Sequence, residues 1–478
     1  MPRVGRFRTA PLLACAGMTF ALLHGCSVIA PGSTSPPATS TRGSTPPHPT
    51  PPVSAASPDF DGDGLADLAV GTGERPGRVL VRYATGQTDE ITAATVASGS
   101  ADSADFGQGL LAHDLNSDGF TDLVVADPNV ETGPTLSWIR GGPTGLDAAA
   151  ATTVRVAGVS GAGRALALLT EPRRVLLVGG GGTAASGAVL AYELGADGSP
   201  ATKPRVLTPS SLGLPELPLG ARFGTTLAAT GSLLVIGAPT ADAGSVRRAG
   251  AIYAVDASSD EWRAVTITQD SPGVPDTAQP GDRFGAALSA GDGFVAVGVP
   301  GEDRADAQGR SRRGTGSVQP FAIAGHDLTP LPAIDERTVD APVAAGDAFG
   351  SAVAVLRPCL ETVGVLIGAP AVTVGSEPQA GTAWLVPLSE QPRCGAREFG
   401  DGAGLGGAAA PTTIVGSAVG SLRNDSDGDA LVIVSQGTWE EGVAGRVFVI
   451  DHSGAAVPVF DAIRVHEERV VALSPGTG

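Results

Sequence analysis

Arg222-Phe223-Gly224-Thr225-Thr226-Leu227, closed by Leu234-Val235-Ile236-Gly237-Ala238-Pro239, decides the architecture of this chain. An apolar run opened by Phe-Gly leads to a second apolar run ended by Gly-Ala-Pro. Proline cannot donate to a ladder, so the triplet marks a strand end. The same phrase returns at Arg283-Phe284-Gly285 with Val297-Gly298-Val299-Pro300, and at Ala348-Phe349-Gly350 with Ile367-Gly368-Ala369-Pro370. Anchored on the first residue of the triplet, the repeat falls at Gly71, Ala126, Gly179, Gly237, Gly298, Gly368 and Ser435. The spacings run from 53 (Ala126 to Gly179) to 70 (Gly298 to Gly368). Each anchor ends an apolar run, and most precede a third run led by glycine, as in Gly187-Ala188-Val189-Leu190-Ala191 and Gly250-Ala251-Ile252-Tyr253-Ala254. A fourth, more polar run fits before the next unit, as in Arg263-Ala264-Val265-Thr266-Ile267. Four short strands in each of seven units predict an all-β chain: a seven-bladed β-propeller with four antiparallel strands per blade, over residues 58–478.

Composition agrees with that reading. The 478 residues include 68 Gly and 38 Pro with only 4% aromatic side chains, which suits many short strands punctuated by turns better than helices. Small residues such as Ala228, Ala229, Ala286, Ala287, Ala352 and Ala354 fall on the innermost strands, where a central channel leaves little room. The Phe of Phe-Gly can wedge between neighbouring blades while its Gly lets two backbones approach. The first unit lacks Phe-Gly and needs a partner to close the ring. Arg469-Val470-Val471-Ala472-Leu473 is expected to supply it in preference to Val53–Ala56, which abuts proline.

The formal net charge is −18, and Lys203 is the only lysine. An acidic chain of this kind lacks the basic footprint of a nucleic-acid binder and favours cations. Residues 1–25 read as an export signal, with Arg3, Arg6 and Arg8 ahead of an apolar core from Ala10 to Leu23. Leu23-His24-Gly25-Cys26 resembles a bacterial lipobox, which would make Cys26 the lipid-bearing N-terminus of the mature chain. Leu12-Leu13-Ala14-Cys15 matches the letters better but leaves almost no apolar core before it, and an ordinary secretory signal is the other alternative. Residues 26–57 are Pro, Ser, Thr and Ala with little charge, an extended spacer that cannot bury a core. Loss of the first 25 residues removes three arginines and no acids, so the mature charge is −18 − 3 = −21.

Two stretches carry cation chemistry. Asp59-Phe60-Asp61-Gly62-Asp63-Gly64-Leu65-Ala66-Asp67 places carboxylates at positions 1, 3, 5 and 9, with the Leu65 carbonyl at position 7. Asp114-Leu115-Asn116-Ser117-Asp118-Gly119-Phe120-Thr121-Asp122 repeats the spacing, with Asn116 offering an amide oxygen and Phe120 its carbonyl. Such a loop can wrap one hard cation in oxygen, and Ca2+ accepts that flexible geometry better than Mg2+. Without an ion the crowded carboxylates repel one another. About two bound Ca2+ are therefore expected. A third loop, with Asp425, Asp427 and Asp429, matches in part only, because Arg423 and Leu431 fall where positions 1 and 9 need oxygen.

Residues 59–451 resemble the FG-GAP repeats of the integrin α-subunit N-terminal β-propeller and its bacterial, exported relatives. Phe223-Gly224 with Gly237-Ala238-Pro239 and Phe349-Gly350 with Gly368-Ala369-Pro370 carry the resemblance, and Phe106-Gly107 keeps the opening while ending in Ala126-Asp127-Pro128. The third and seventh units lack both signatures. The resemblance implies that the acidic loops join strands 1 and 2, on the face opposite the ligand-binding one, so that calcium is structural. It also implies that the long loops between strands 2 and 3 of the fourth to sixth units share the ligand face. Those loops bring Arg247, Arg248, Arg304, Arg310, Arg312 and Arg313, which could recognise carboxylate or sulfate. Cys359 and Cys394, the only cysteines of the folded part, are expected to pair in an oxidising compartment if strand geometry permits. No zinc spacing, nucleophile elbow or phosphate-cradling loop occurs, and no catalytic residue is singled out. The expectation is a monomeric, exported, calcium-stabilised binding or adhesion module for an envelope protein or polysaccharide, touching membrane only through its lipid. The alternative is an envelope hydrolase or lyase with its site at the central mouth.

Overall fold

Wherever its side chains are described, the second strand of every repeat is buried except for half-buried Phe294 and Val363. Leu68–Thr72, Asp122–Asp127, Val175–Gly180 and Leu233–Ala238 expose no residue, because each has a strand on either side and a neighbouring blade against each face. Outer strands show the opposite pattern, as in Arg263–Ile267, which has one side in solvent. The computed structural model describes residues 58–471 apart from 73–75, 97–102, 104, 130, 132, 160, 181–185, 360, 390–391, 401–402, 406–413, 423–427, 436–444, 451–455 and 464–469. The expected signal, Cys26, the spacer and Val53–Ala56 lie outside the described residues.

Seven four-stranded antiparallel sheets follow one another along the chain, and each anchor residue sits in the second strand of its own sheet. The fold is the expected seven-bladed β-propeller. Blade 5 adds a small hairpin of Arg304–Ala305 and Ser311–Arg312 between its second and third strands. The only helical turns among the described residues are the short 3-10 segments Ser210–Leu212 and Glu336–Val339. None of the described helices is long and apolar enough to cross a membrane. The innermost strand of blade 1 is Val470–Val471, paired with Leu68–Thr72 through Gly71↔Val471 and Thr72↔Val470. The C-terminal segment thus closes the ring, as its sequence suggested.

Blades are joined by the glycines and phenylalanines of the repeat. The Phe284 amide donates to the Ala249 carbonyl of blade 4 (2.7 Å), and Phe284 bridges Gly250, the residue that leads the third strand of that blade. Phe223 with Gly187, and Phe349 with Gly316, repeat the arrangement. Gly250 has φ +89°, and a Cβ there would run into the backbone of Phe284. This is why the third strands begin with glycine. Gly250→Ala is expected to lower unfolding free energy by about 2–4 kcal/mol through left-handed strain and displacement of blade 5. Equilibrium denaturation measures it, and a loss below about 1 kcal/mol would contradict the junction as described.

The two blades that lost their signatures keep the geometry. In blade 7, Val415-Gly416 takes the Phe-Gly position, with Val415 bridging Gly381 and Gly416 at φ +78°. In blade 3, Ala162-Gly163 takes it, with the Gly163 amide donating to the Gly179 carbonyl at 2.9 Å, as Gly224 does to Gly237. Glycine is the constant, and the wedge can shrink to Val or Ala. In blade 6 a disulfide joins Cys359 to Cys394 across a Cα–Cα distance of 6.4 Å.

Candidate metal centre

Strand direction alternates within a blade, so loops between strands 1 and 2 emerge at one end of the ring and loops between strands 2 and 3 at the other. Both acidic nonapeptides occupy the first kind of position, directly before Leu68–Thr72 and Asp122–Asp127. Their backbones match residue for residue. The Asp59 carboxylate accepts from the amides of Gly62 (2.6 Å), Asp63 (3.1 Å) and Gly64 (2.9 Å). Asp114 accepts from Ser117 (2.6 Å), Asp118 (3.2 Å) and Gly119 (3.0 Å). Asp63 accepts from Leu65, and Asp118 from Phe120. At position 9, Asp67 accepts from the Phe60 amide (2.6 Å) and Asp122 from that of Leu115 (3.1 Å). Positions 4 and 6 are left-handed in both loops, with Gly62 at φ +74° and Ser117 at φ +62°.

These turns fold the carboxylates inward. Oxygens of Asp59, Asp61 and Asp67 lie within 4.8 Å of one another, close enough to share a single ion. Burial pushes Asp67 up to about 7 in spite of its bonds from Phe60 and Ala84, and burial also raises Asp59, with Asp63 and Asp61 adding like charge. The second loop is less crowded. Burial raises Asp122 as well, but the Arg140 guanidinium (2.9 Å) and the Gly141 amide (3.1 Å) hold its oxygens. The donor set of four acidic or amide side chains and one carbonyl per loop fits a hard cation such as Ca2+.

The loops also fasten blades together. The Asp59 amide donates to Thr121 Oγ1 (2.9 Å), the Thr121 amide returns a bond to the Asp59 carbonyl (2.8 Å), and Gly142 donates to the Phe60 carbonyl (3.0 Å). From blade 3, Arg174 donates to the Leu115 carbonyl at 2.9 Å. Loop shape in blade 1 is therefore tied to blade 2, and blade 2 to blade 3.

Other expected site residues fall elsewhere. Asp425 and Asp427 lie outside the described residues, while Asp429 is buried and accepts from the Arg357 amide of blade 6 (2.7 Å). Arg304 is not on the exposed face as expected. It is largely buried, and Asp276, Glu302 (3.3 Å) and Asp335 (3.2 Å) surround its guanidinium. Arg310 and Arg312 both grip Asp306, which stiffens the blade 5 hairpin. Arg247, Arg248 and Arg313 lie in the loops between strands 2 and 3, where the sequence placed them.

Sequence reasoning missed a set of buried acids at the two junctions of blade 5, with blade 4 and with blade 6. Glu302 and Asp282 are fully buried, and burial pushes them up to about 8 and about 7. Glu336 and Asp347 are buried against each other and raised, chiefly by burial. The shared signal was Asp-x-Phe-Gly, in Asp282-Arg283-Phe284-Gly285 and Asp347-Ala348-Phe349-Gly350. Their folded pKa values lie above the unfolded ones, so their contribution to stability is complete below about pH 4.5 and is lost as pH rises through about 8. Melting temperature is expected to fall from about pH 5 to about pH 9, and Glu302→Gln with Glu336→Gln should flatten that fall. An undiminished slope in the double variant would show that these carboxyls are ionised in the fold.

The fold and the loop pair define the class: a β-propeller with acidic loops on one rim. The family model for the FG-GAP-like repeat matches residues 59–125, the stretch that contains both loops. The chain is a seven-bladed propeller that carries an FG-GAP-like repeat over those residues. No curated protein matches its sequence. Among solved structures it is similar to the periplasmic gluconolactonase of Pseudomonas aeruginosa, at 15% identity and a TM-score of 0.48, over 85% of this chain and 99% of that one. A putative 6-phosphogluconolactonase from Bacteroides uniformis aligns at 12% identity and a TM-score of 0.43, over 84% of this chain and 97% of that one. The Aleuria aurantia lectin, solved with α-methyl-L-fucoside, aligns at 12% identity and a TM-score of 0.39, over 77% and 95%. At these levels of similarity their chemistry does not transfer to this chain.

Proposed function

We propose that the chain is an exported, calcium-stabilised binding module whose ligand is a protein or polysaccharide of the cell envelope, with a lipid on Cys26 as its tether. The supporting observation is the pair of matching acidic loops, placed at the end of the ring opposite the loops between strands 2 and 3. Asp59, Asp61, Asp63, Asp67 and the Leu65 carbonyl would hold one ion. Asp114, Asn116, Asp118, Asp122 and the Phe120 carbonyl would hold the other. Bound Ca2+ supplies fixed positive charge to oxygens that otherwise repel. With the ions on one rim, the opposite rim is left free to meet a ligand, and rigidity gained at the junctions of blades 1 to 3 keeps its loops in register.

The test is capture from envelope extracts with the mature ring, in Ca2+ and in EDTA. Retention of a defined protein or glycan in Ca2+ and its loss in EDTA is the expected result. Turnover of a lactone or glycoside by the ring, with no ligand retained, would replace this reading with that of a hydrolase.

A further inference from the structure

In blades 5 to 7 the left-handed residue before Phe-Gly or its Val-Gly counterpart meets, where one blade joins the next, a left-handed residue two places before the glycine-led third strand. At the junction of blades 5 and 6 these stations hold Gly314 (φ +61°) and Ala348 (φ +56°), and at that of blades 6 and 7 they hold Gln379 (φ +55°) and Ile414 (φ +47°). The backbone therefore accepts uncharged residues there. At the junction of blades 4 and 5, the same stations hold Arg248 (φ +53°) and Arg283 (φ +60°). The Phe284–Ala249 hydrogen bond (2.7 Å) and the Phe284–Gly250 bridge set the two chains side by side. Arg222 (φ +60°) occupies the station before Phe-Gly in blade 4, next along the rim.

The best-buried arginines of this acidic chain are matched by carboxylates. Arg140 meets Asp122, and Arg304 meets three carboxylates. Arg283 is half-buried, and burial, with the like charges of Arg248 and Arg222 adding to it, holds it below the ordinary arginine range. Among the described residues no side-chain hydrogen bond or ion pair satisfies any of these three guanidinium groups. The nearest acid in the loop, Asp242, accepts from the Arg248 backbone amide (2.8 Å). Three like charges with no fold duty, gathered at one point of the rim that faces away from the acidic loops, call for a counter-ion from outside.

We infer that Arg222, Arg248 and Arg283 form a seat for a single oxyanion, the carboxylate or sulfate of an acidic sugar or a free inorganic anion. Planar guanidinium groups pair with such oxygens two at a time, and each pairing also relieves the repulsion among the arginines. The acidic-sugar source rests on the binding-module reading, but the seat itself does not.

The full mature ring is titrated calorimetrically with sodium sulfate and with sodium glucuronate, at ionic strength matched by chloride. Binding of at least one anion over chloride is expected. R248Q/R283A should weaken it at least tenfold. Both replacements copy residues that blade 6 already carries at these stations, so the variant should melt as the parent does. Arg263→Ala removes an arginine from the outer strand of blade 4 and should leave binding unchanged. Glucuronate bound more tightly than sulfate assigns the seat to an acidic sugar, and the reverse assigns it to a free tetrahedral anion. No heat with either anion, or equal affinity in R248Q/R283A, overturns the proposal. Failure to capture an envelope ligand would count against the binding module and leave the seat standing.

Discussion

Ca2+ added to the EDTA-treated ring is expected to raise its melting temperature, and Asp63→Ala with Asp118→Ala to abolish the rise. At a free concentration 100 times the dissociation constant, each site adds about 2.7 kcal/mol, so two add about 5 kcal/mol. For a fold of this size that is on the order of 5–10 °C. The choice of position matters. Asp59 and Asp114 each accept three backbone amides, so their loss would damage the loop with or without metal. Asp63 and Asp118 are exposed, and each takes a backbone bond from two residues on, to Leu65 and Phe120. Their removal should leave the metal-free protein near its parent. A calcium-dependent shift that survives in the double variant would place the ions elsewhere, and no shift in the parent would dispose of them.

The second large effect is mechanical. Phe284 is fully buried between blades 4 and 5, edge-on to Phe321 with ring centroids 6.5 Å apart, among Ile252, Leu288, Val295 and Val297. Phe284→Ala should cost about 3–5 kcal/mol, because these side chains belong to two sheets that cannot collapse together without breaking their own ladders. Blade 3 carries Ala162 at the same station, but with Val159 and Leu136 packed nearby rather than an open space. Urea denaturation gives the measurement. A loss under about 1 kcal/mol would mean the wedge is dispensable and the glycines alone hold the blades.

What the sequence disclosed depended on how locally each feature is encoded. The acidic loops were legible because their chemistry lies within nine residues, and Asp59 to Asp67 fold on their own neighbours. The ring was legible because glycine recurs wherever two backbones touch. The weak repeats were harder to see: Ala162-Gly163 and Val415-Gly416 do the work of Phe-Gly with different side chains, and spacing was the guide. The acids around Arg304 were hidden. Asp276, Glu302 and Asp335 come from distant parts of the sequence, and only the approach of blade 5 loops brings them to one guanidinium. An arginine read as solvent-facing proved to be an internal tie.

The seam of the ring has one consequence of its own. Blade 1 is completed by a strand from the C-terminal part of the chain, of which Val470 and Val471 are described, and the same blade receives the chain that precedes Pro58. Any pull transmitted along that leading chain arrives first at Asp59 and the strand beside this splice. Tension there would unzip one ladder pair at a time, whereas the other six sheets would be loaded only after the circle had parted. Divalent ions held by the neighbouring turns, as proposed above, would act as rivets at that seam, and the force needed to open the toroid should then follow the calcium concentration around it.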